Sequence, residues 1–353
     1  MTGDTVDHMR AVTAIPGVPQ SIRLEERPEP TPAGDEYLVR SLLVGLCGTD
    51  HEMLERTPAG TEPLIMGHES LGVVERAPAT GSIPEGALVV GVIRSPCAAL
   101  CPGCRAGRYD LCESQPLVER GLHEADGYAC DYWTARETGL VVVNPALGEH
   151  GILVEPLSSL IKARDRLRDV APTLPVFLWD AVLITGAGPI GVLAAWLFAK
   201  DFAQVTVVDP HLSAQATAAL ASLGDVRCVD NWAHIKDGGF DAVIECSGSV
   251  DALNRAVQAC RVGGGLVLEG IPHGQGPGLS PDAIKDMVLS DLTLIATVNA
   301  SRAQYQRAAD ELLDAPGAFL DLVIEHEIDP IDIPPWMANA ASGLKTVVRF
   351  SHP

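Results

Sequence analysis

Residues 181–199 read AVLITGAGPIGVLAAWLFA, an apolar stretch interrupted by a glycine-rich turn. The leading AVLIT predicts a buried strand, and the run after the turn predicts a helix. Gly186, Gly188 and Gly191 spell G-x-G-x-x-G, which allows a tight turn, close approach of a pyrophosphate, and close packing of helix on strand. Pro189 suits the first helical turn. The strand–turn–helix order predicts a dinucleotide site. Its predicted contacts are Gly186, Gly188, Pro189, Ile190 and Gly191.

Strand-like and helix-like runs alternate from this stretch onward. Strands are predicted at 181–185, 205–209, 227–230, 241–246, 266–270 and 292–298. Six strands with intervening helices predict a parallel, doubly wound α/β sheet. Asp209 ends the second of them, eighteen residues after Gly191, where a carboxylate would accept hydrogen bonds from ribose hydroxyls. Because residues 210–217 hold no Arg or Lys to offset that charge against a 2′-phosphate, we expect NAD rather than NADP.

The first 145 residues have a different sequence pattern, with short β-like runs separated by Pro and Gly. These runs lie at 10–15, 37–44, 71–74 and 87–92, and they predict a compact, mainly antiparallel β domain. A helical stretch at 149–167 leads to prolines that indicate a boundary. After about Ser301, a helix near 304–315 and a strand at 345–350 are expected to return to the first domain. The predicted domains are 1–170, 171–300 and 301–353.

Composition and charge exclude several classes of partner. The 353 residues include 46 Asp and Glu against 25 Lys and Arg, a formal net charge of −21, which argues against binding nucleic acid phosphates. The uncharged run at 181–199 is long enough to span a bilayer, but its glycines and proline interrupt any single helix, so we expect no membrane partner. The first ten residues, MTGDTVDHMR, have no apolar core, so we expect no targeting peptide and a cytoplasmic location.

The stretch CAALCPGCRAGRYDLC at 97–112 holds four of the nine cysteines in sixteen positions. A disulfide, a redox pair in the C-x-x-C at 101–104, and a metal clamp are all compatible with this spacing. In a reducing cytoplasm, clustered cysteines favour metal ligands over disulfides. A redox pair would leave the two outer cysteines without a role.

Three further side chains offer the donors of a second metal site. Cys47 in GLCGTDHE, His68 in GHE and Glu155 in VEPL supply sulfur, nitrogen and oxygen. Each alone is ordinary, as a buried cysteine, a core histidine or a surface glutamate. The combination matters because a catalytic zinc binds three protein ligands of these types and keeps one position open.

On these motifs the chain resembles the medium-chain, zinc-dependent alcohol and polyol dehydrogenases over essentially its whole length. The matching pieces are GxCGTD at 45–50, GHE at 67–69, the cysteine cluster at 97–112, EP at 155–156 and GAGPIG at 186–191. The resemblance implies a GroES-like β-rich catalytic domain, a Rossmann cofactor domain and a homo-oligomer, dimeric or tetrameric. It also implies two zinc ions per chain. The implied catalytic ligands are Cys47, His68 and Glu155, with Glu69 nearby or exchanging, and the implied structural ligands are Cys97, Cys101, Cys104 and Cys112.

The resemblance implies reversible oxidation of a secondary alcohol or hemiacetal hydroxyl, with hydride transfer to NAD. Thr49 lies two residues after Cys47, so its hydroxyl is expected to take the substrate proton, and His51 is expected to pass it to solvent. Glu52 stands where many relatives place their relay histidine.

Within that family the likeness is to the glucose dehydrogenases. It is carried by GTDHE at 48–52, ERGLHEADGYACDYW at 119–133 and DMVLSDLTLIATVN at 286–299. By that likeness Glu119 and Asn299 would bind sugar hydroxyls. Ile93 stands where such enzymes often have a sugar-binding Asn, so we expect a related sugar, an aminosugar or a cyclitol as substrate. The alternatives are a general zinc alcohol dehydrogenase, a zinc-free quinone or enoyl reductase of the same fold, and a non-enzymatic binding protein.

Overall fold

The computed structural model describes residues 7–55, 59–114, 117–272, 278–338 and 343–352. Residues 1–6, part of the N-terminal segment considered above, lie outside the described residues. The strands are β1 (His8–Ala14), β2 (Arg23–Pro28), β3 (Glu36–Leu46), β4 (Leu64–Ile65), β5 (Glu69–Arg76), β6 (Leu88–Gly91), β7 (Glu119–Arg120), β8 (Glu124–Ala125), β9 (Tyr132–Arg136), β10 (Leu140–Val142), β11 (Ala181–Thr185), β12 (Gln204–Val208), β13 (Val226–Val229), β14 (Phe240–Glu245), β15 (Cys260–Leu268), β16 (Thr293–Ala296), β17 (Ile324–Ile328) and β18 (Lys345–Arg349).

The α-helices are α1 (Gly48–Glu55), α2 (Pro102–Arg105), α3 (Val154–Val170), α4 (Pro189–Phe198), α5 (Ala214–Ala221), α6 (Val250–Ala259), α7 (Pro281–Leu289), α8 (Arg302–Leu312), α9 (Gly317–Val323) and α10 (Ile333–Ala338). Short 3₁₀ segments occur at Tyr109–Leu111, Glu137–Gly139, Pro145–Leu153, Ala171–Thr173, Trp232–His234 and Pro330–Asp332.

The chain divides into two compact units, both discontinuous in sequence. The first unit comprises Met1–Glu155, Ala300–Asp314 and His326–Pro353, and the second comprises Pro156–Asn299 and Ala315–Glu325. The first boundary therefore falls near the start of α3 rather than after residue 170. The reason is that α3 beyond its first turn packs within the second unit, where Arg168 forms an ion pair with Asp201.

The C-terminal segment, expected to return to the first domain as a whole, is also divided. Residues 315–325 belong to the second unit because α9 packs against α4 and α5. The rings of Trp196 and Phe319 stack with centroids 6.5 Å apart, and Gln215 donates a hydrogen bond of 2.9 Å to the carbonyl oxygen of Leu322. An apolar helix this short gives no sequence indication of which unit it will cover.

The first unit is built on antiparallel sheets. One has the order β10-β6-β5-β3-β18-β17 with β9 also pairing with β3, and a second has the order β2-β1-β4. Their inner faces share one apolar core, which includes the fully buried Ala11, Val12, Tyr37 and Val44. β18 pairs antiparallel with β3, with Val347 opposite Gly45. This pairing brings the end of the chain beside the strand that precedes Cys47.

The second unit is a six-stranded parallel sheet in the order β13-β12-β11-β14-β15-β16. The strand order reverses direction beside β11, as in doubly wound dinucleotide-binding folds. Side chains of Ser213, Ser249 and Ser280 cap the N-termini of α5, α6 and α7. The predicted fold class, a β-rich domain with a doubly wound parallel sheet, is confirmed.

The uncharged run at 181–199 is split between β11 and α4. In the part of the chain that the structure describes, no helix combines the length and hydropathy needed to cross a membrane.

Candidate active site

The register of β3 against β5 brings together three of the predicted metal ligands. β3 ends at Leu46, immediately before Cys47, and β5 begins at Glu69, immediately after His68. Gly45 lies opposite Glu69 in this antiparallel pair, so the end of one strand meets the start of the other. The donor atoms of Cys47, His68 and Glu69 all lie within 4.8 Å of one another. A thiolate, an imidazole and a carboxylate at this separation suit a zinc ion.

Asp50 holds two members of this cluster in place. Its Oδ2 accepts a hydrogen bond of 2.9 Å from the backbone N–H of Cys47, and its Oδ1 lies 3.2 Å from Nδ1 of His68. Because Nδ1 faces Asp50, Nε2 is the ring nitrogen left for an ion. Burial opposes the imidazolium, but the charge of Asp50 and hydrogen bonds to Asp50 and Cys47 raise the pKa of His68 well above its usual value.

Glu69 is buried and only half of its carboxylate is paired. Its Oε1 lies 2.5 Å from Nζ of Lys345, which also donates to the carbonyl oxygen of Leu46 at 3.2 Å. Its Oε2 has no hydrogen-bond partner among the described residues. A Cβ at Gly45 would overlap this oxygen, so glycine is needed there for the carboxylate to lie across the strand. An unpaired buried carboxylate oxygen beside a thiol and an imidazole fits a bound cation.

Glu155 lies near this cluster but outside the set whose donor atoms are within 4.8 Å. It is in the first turn of α3, where its Oε1 accepts a hydrogen bond of 3.4 Å from the Tyr305 hydroxyl. Burial and the charge of Glu69 raise the pKa of Glu155 to about 7. The carboxylate of Glu69 thus lies with Cys47 and His68, and the resemblance implied Glu155 as the third ligand with Glu69 nearby or exchanging.

The predicted proton-transfer residues both lie on α1, which follows Cys47 directly. The Thr49 hydroxyl oxygen is 3.8 Å from Sγ of Cys47, so it lies at the edge of the cluster. The His51 ring is half-buried, with its centroid 6.2 Å from that of Trp336. It also lines a cavity of about 440 Å³ together with Leu54 and other side chains.

The four clustered cysteines form a compact lobe around α2. The sulfur atoms of Cys97, Cys101, Cys104 and Cys112 all lie within 4.8 Å of one another, and all four are free thiols. Backbone N–H groups of Cys97, Cys101 and Ser114 donate to three of the sulfurs at 3.4 Å each. The backbone amides of Glu113 and Cys104 lower the pKa of the Cys101 thiol to about 6, while burial raises the pKa of Cys104 to about 12. Deprotonation of the buried Cys104 thiol therefore needs a nearby positive charge, which a zinc ion would supply.

The glycine-rich turn joins β11 to α4 as the motif predicts. Gly186 has a φ of 88°, and a Cβ at Gly191 would overlap the Gly186 carbonyl oxygen, so both positions need glycine. Gly188 is the N-cap of α4, Pro189 begins that helix and Ile190 follows it.

Asp209 follows β12 and is hydrogen-bonded to this turn. Its Oδ2 accepts from the backbone N–H of Ala187 at 2.8 Å, and its Oδ1 accepts from that of His211 at 2.8 Å. The carboxylate is half-buried at the carboxyl end of the sheet. This is the edge at which open α/β sheets bind their ligands.

The two predicted sugar-binding residues lie in different units. Glu119 is buried in the first unit, with Oε1 accepting from Nε of Arg94 at 2.7 Å and Oε2 3.2 Å from Nδ1 of His123. Ile93, which stands where related enzymes often have a sugar-binding Asn, is buried. Its backbone carbonyl oxygen accepts a hydrogen bond of 3.1 Å from the backbone N–H of Arg120.

Asn299 lies in the second unit and adopts a left-handed backbone conformation, with φ of 53°. The loop that carries it is fixed by Lys162, which donates to the Val298 carbonyl oxygen at 2.8 Å, and by the Thr297 hydroxyl, which donates to Glu269. Burial raises the pKa of Glu269.

Sequence reasoning overlooked three residues that organise these sites. Asp50 lies in the GTD motif, three residues after the predicted ligand Cys47. That spacing could have indicated a carboxylate that orients a metal ligand. Lys345 gives no sequence indication, because only the pairing of β18 with β3 brings it to Glu69. Arg94 likewise lies next to Ile93 without a motif of its own.

A β-rich unit with a buried Cys–His–Glu cluster, joined to a sheet with a dinucleotide turn, defines the class of nicotinamide-dependent dehydrogenases. Comparisons with known proteins agree. The family model described as "Glucose dehydrogenase C-terminus" matches residues 148–350, and "Alcohol dehydrogenase GroES-like domain" matches residues 33–145.

Relatives with assigned names point in the same direction. The glucose 1-dehydrogenase of Methanocella arvoryzae is 30% identical over 320 residues, covering 86% of this chain and 88% of the relative. That of Thermoproteus tenax is 33% identical over 322 residues, covering 87% and 88%. Among solved structures, "Haloferax mediterranei glucose dehydrogenase in complex with NADP, Zn and gluconolactone" is similar with a TM-score of 0.84 and 25% identity, covering 98% of this chain and 100% of that one. The chain belongs to the zinc-dependent medium-chain dehydrogenases, close to the glucose dehydrogenases, and is a dehydrogenase acting on CH–OH donors.

Proposed function

We propose that the protein catalyses the zinc- and NAD-dependent, reversible oxidation of a secondary alcohol or hemiacetal hydroxyl on a sugar, an aminosugar or a cyclitol. The observation that carries this proposal is the buried cluster of Cys47, His68 and Glu69, whose donor atoms lie within 4.8 Å of one another. The zinc would be held by Cys47, His68 and a carboxylate. Glu69 supplies that carboxylate in the present geometry, and Glu155 is the second carboxylate of the same neighbourhood.

When bound, zinc would supply Lewis-acid polarisation of the substrate hydroxyl, and NAD would supply the hydride acceptor. The chain's own groups manage the proton. Thr49, whose hydroxyl lies 3.8 Å from Sγ of Cys47, would accept the substrate proton, and His51 would deliver it to solvent from the same helix. Asp50 keeps the imidazole of His68 oriented throughout, because it is bonded to Nδ1.

The substrate class rests on Glu119 and Asn299. A carboxylate accepts hydrogen bonds from sugar hydroxyls, and an amide can both donate to them and accept from them. The named relatives are glucose 1-dehydrogenases, and one related structure contains gluconolactone. Ile93 offers no polar group, so we propose a substrate that differs from glucose where those enzymes have a hydrogen-bonding side chain.

The cofactor preference rests on Asp209. A second negative charge about 4 Å away would cost roughly 4 kcal/mol at an effective dielectric near 20. The related structure from Haloferax mediterranei contains NADP, so cofactor choice differs among relatives if Asp209 acts as proposed. Within residues 210–217 this chain has no Arg or Lys to bind a 2′-phosphate.

We also propose that Cys97, Cys101, Cys104 and Cys112 hold a second zinc ion. Four thiolates complete a tetrahedral site, so this ion would crosslink the lobe rather than bind substrate. The close sulfurs and the amide hydrogen bonds to them support this role.

Metal analysis with two serine variants tests the two roles together. The unmodified protein should contain two zinc ions per chain. Cys47→Ser should abolish turnover in a folded protein that still binds NADH, whereas Cys104→Ser should lower the Tm by about 5 °C or more, the shift expected for a loss of roughly 2 kcal/mol.

Cys228→Ser is the matched control, because Cys228 lies on β13 and belongs to neither cluster, and this variant should keep its zinc and its activity. One zinc or none per chain in the unmodified protein would show that at least one site is assigned wrongly.

A further inference from the structure

Arg94 is bonded to two parts of the first unit at once. Its Nε donates to Oε1 of Glu119 at 2.7 Å, and its Nη1 donates to the backbone carbonyl oxygen of Asp110 at 2.6 Å. The side chains are largely buried, with exposed fractions of 12% for Arg94 and 8% for Glu119. A buried guanidinium that donates to two fixed acceptors has one favoured orientation, because any rotation away from it would leave one of the two acceptors without its hydrogen bond.

The Asp110 carbonyl belongs to the four-cysteine lobe. Asp110 lies in the 3₁₀ turn Tyr109–Leu111, directly before Cys112, whose N–H donates to the Tyr109 carbonyl oxygen at 3.0 Å. The Asp110 side chain is fully buried and is held by Arg108 through bonds of 2.9 and 2.6 Å. The position of the acceptor that anchors Arg94 is therefore set by the fold of the lobe.

The backbone around Glu119 is fixed independently of Arg94's side chain. Glu119 and His123 exchange two backbone hydrogen bonds of 2.8 Å, and a β-bridge joins the backbones of Arg94 and Glu119. These backbone bonds do not set the direction of the Glu119 carboxylate, whose Oε1 is ion-paired with Arg94 and whose Oε2 lies beside His123.

We propose that Arg94 is a positioning residue that couples the four-cysteine lobe to the sugar-binding carboxylate of Glu119. The fold of the lobe fixes the position of the Asp110 carbonyl oxygen, and the hydrogen bond to this oxygen fixes the orientation of the Arg94 guanidinium. The guanidinium in turn holds one oxygen of Glu119, so that the carboxylate presents a single orientation to a sugar hydroxyl. The lobe then affects recognition of the substrate as well as stability. This inference rests on the proposed role of Glu119 in sugar binding.

The test is a double-mutant cycle on the holoenzyme, with Arg94→Gln, Glu119→Gln and the double variant. The probe is whichever of glucose, galactose, glucosamine and myo-inositol gives the highest kcat/KM with the unmodified enzyme. Arg94→Gln should raise the sugar KM by about tenfold or more, with a smaller change in kcat and an NADH Kd within about twofold, since it disturbs ground-state binding of the sugar. Added to Glu119→Gln, it should raise KM little further, because two residues that act through one interaction are not additive.

Two further variants separate positioning from general damage. Arg94→Lys keeps the buried charge but cannot hold both acceptors in one planar group, so it should fold and recover only part of the sugar affinity. Arg10→Gln is the matched control, because Arg10 of the same unit also bonds a carboxylate, that of Asp131, and a backbone carbonyl, that of Phe350, both outside the lobe, and it should leave the sugar KM unchanged.

The possible failures are distinguishable. If Glu119→Gln leaves the sugar KM unchanged, the proposed role of Glu119 is wrong. If Glu119→Gln raises KM but Arg94→Gln and Arg94→Lys do not, or if the two effects simply multiply in the double variant, Glu119 binds sugar and the coupling through Arg94 is wrong. An equal rise in KM for Arg10→Gln would assign the effect to general destabilisation of the first unit and overturn the coupling.

Discussion

Single residues with two partners set the geometry of this protein. Asp50 joins the Cys47 backbone to the His68 ring, Lys345 joins Glu69 to the end of β3, and Arg94 joins Glu119 to the cysteine lobe. None of the three is a proposed zinc ligand. Each fixes a donor that would otherwise have several rotamers, and a preorganised site needs such support.

Asp50→Asn tests this principle at the residue scale. The amide can replace only part of the carboxylate's hydrogen bonding and removes its charge, so the affinity of the cluster for zinc should fall by about 10- to 100-fold. Competition with a chromophoric chelator measures the change. Asp35→Asn is the matched control, since Asp35 is exposed and paired with Arg136 on the surface, and its zinc affinity should not change. Equal zinc affinities for the unmodified protein, Asp50→Asn and Asp35→Asn would mean that Asp50 does not support the metal site.

Some candidate residues are recognisable from short local motifs, and others depend on strand pairing between distant parts of the chain. Cys47, His68, the glycines of the turn and the four clustered cysteines stand in short motifs whose chemistry is readable from spacing. The partnership of Glu69 with Lys345 is not readable, because it joins residues 276 positions apart through strand pairing. For the same reason the sequence left open whether Glu69 or Glu155 has its donor atom within 4.8 Å of those of Cys47 and His68.

At the scale of elements, two features of the sheets generate the sites. The β3–β5 register places the end of one strand beside the start of the other, and the turn after β11 places the N-terminus of α4 at the carboxyl edge of the parallel sheet. The six parallel strands were predictable, because buried strands and amphipathic helices alternate with distinct periods. The short helices α9 and α10 were not predicted, since few residues carry their pattern and their packing partners are distant in sequence.

The link between β12 and the glycine turn carries the cofactor prediction. NAD should be preferred over NADP by at least about tenfold in kcat/KM, a difference of about 1.4 kcal/mol. Asp209→Ala should narrow that ratio. Because Asp209 also accepts from the Ala187 N–H, this variant should lower stability slightly as well, and the Tm is measured beside the kinetics.

Asp230→Ala is the matched control for the cofactor prediction. Asp230 is an exposed acid just after the neighbouring strand β13, so its loss should leave the ratio unchanged. Equal use of both cofactors by the unmodified enzyme would contradict the role of Asp209.

At the scale of the whole molecule, the chain contributes to each unit more than once. Residues 300–314 and 326–353 complete the first unit, and residues 315–325 complete the second. The first unit therefore receives Lys345 from β18, and the Tyr305 hydroxyl that contacts Glu155 comes from α8. A division of the sequence into consecutive domains misses such discontinuous segments. Local composition does not mark a segment that packs in a unit whose other residues are distant in sequence.

The measurement that tests the central claim most directly is a comparison of substrates by NADH absorbance. The holoenzyme with NAD is offered aldoses, aminosugars and cyclitols on one side, and ethanol and cyclohexanol on the other. A site built to pair hydroxyl groups rejects analogues that lack them by roughly 10⁴ in kcat/KM, because its buried polar groups would be left unpaired. We expect at least one polyhydroxylated ring to turn over efficiently while the simple alcohols are poor substrates. Efficient turnover of simple alcohols, with every sugar, aminosugar and cyclitol inert, would contradict the account and indicate a general alcohol dehydrogenase.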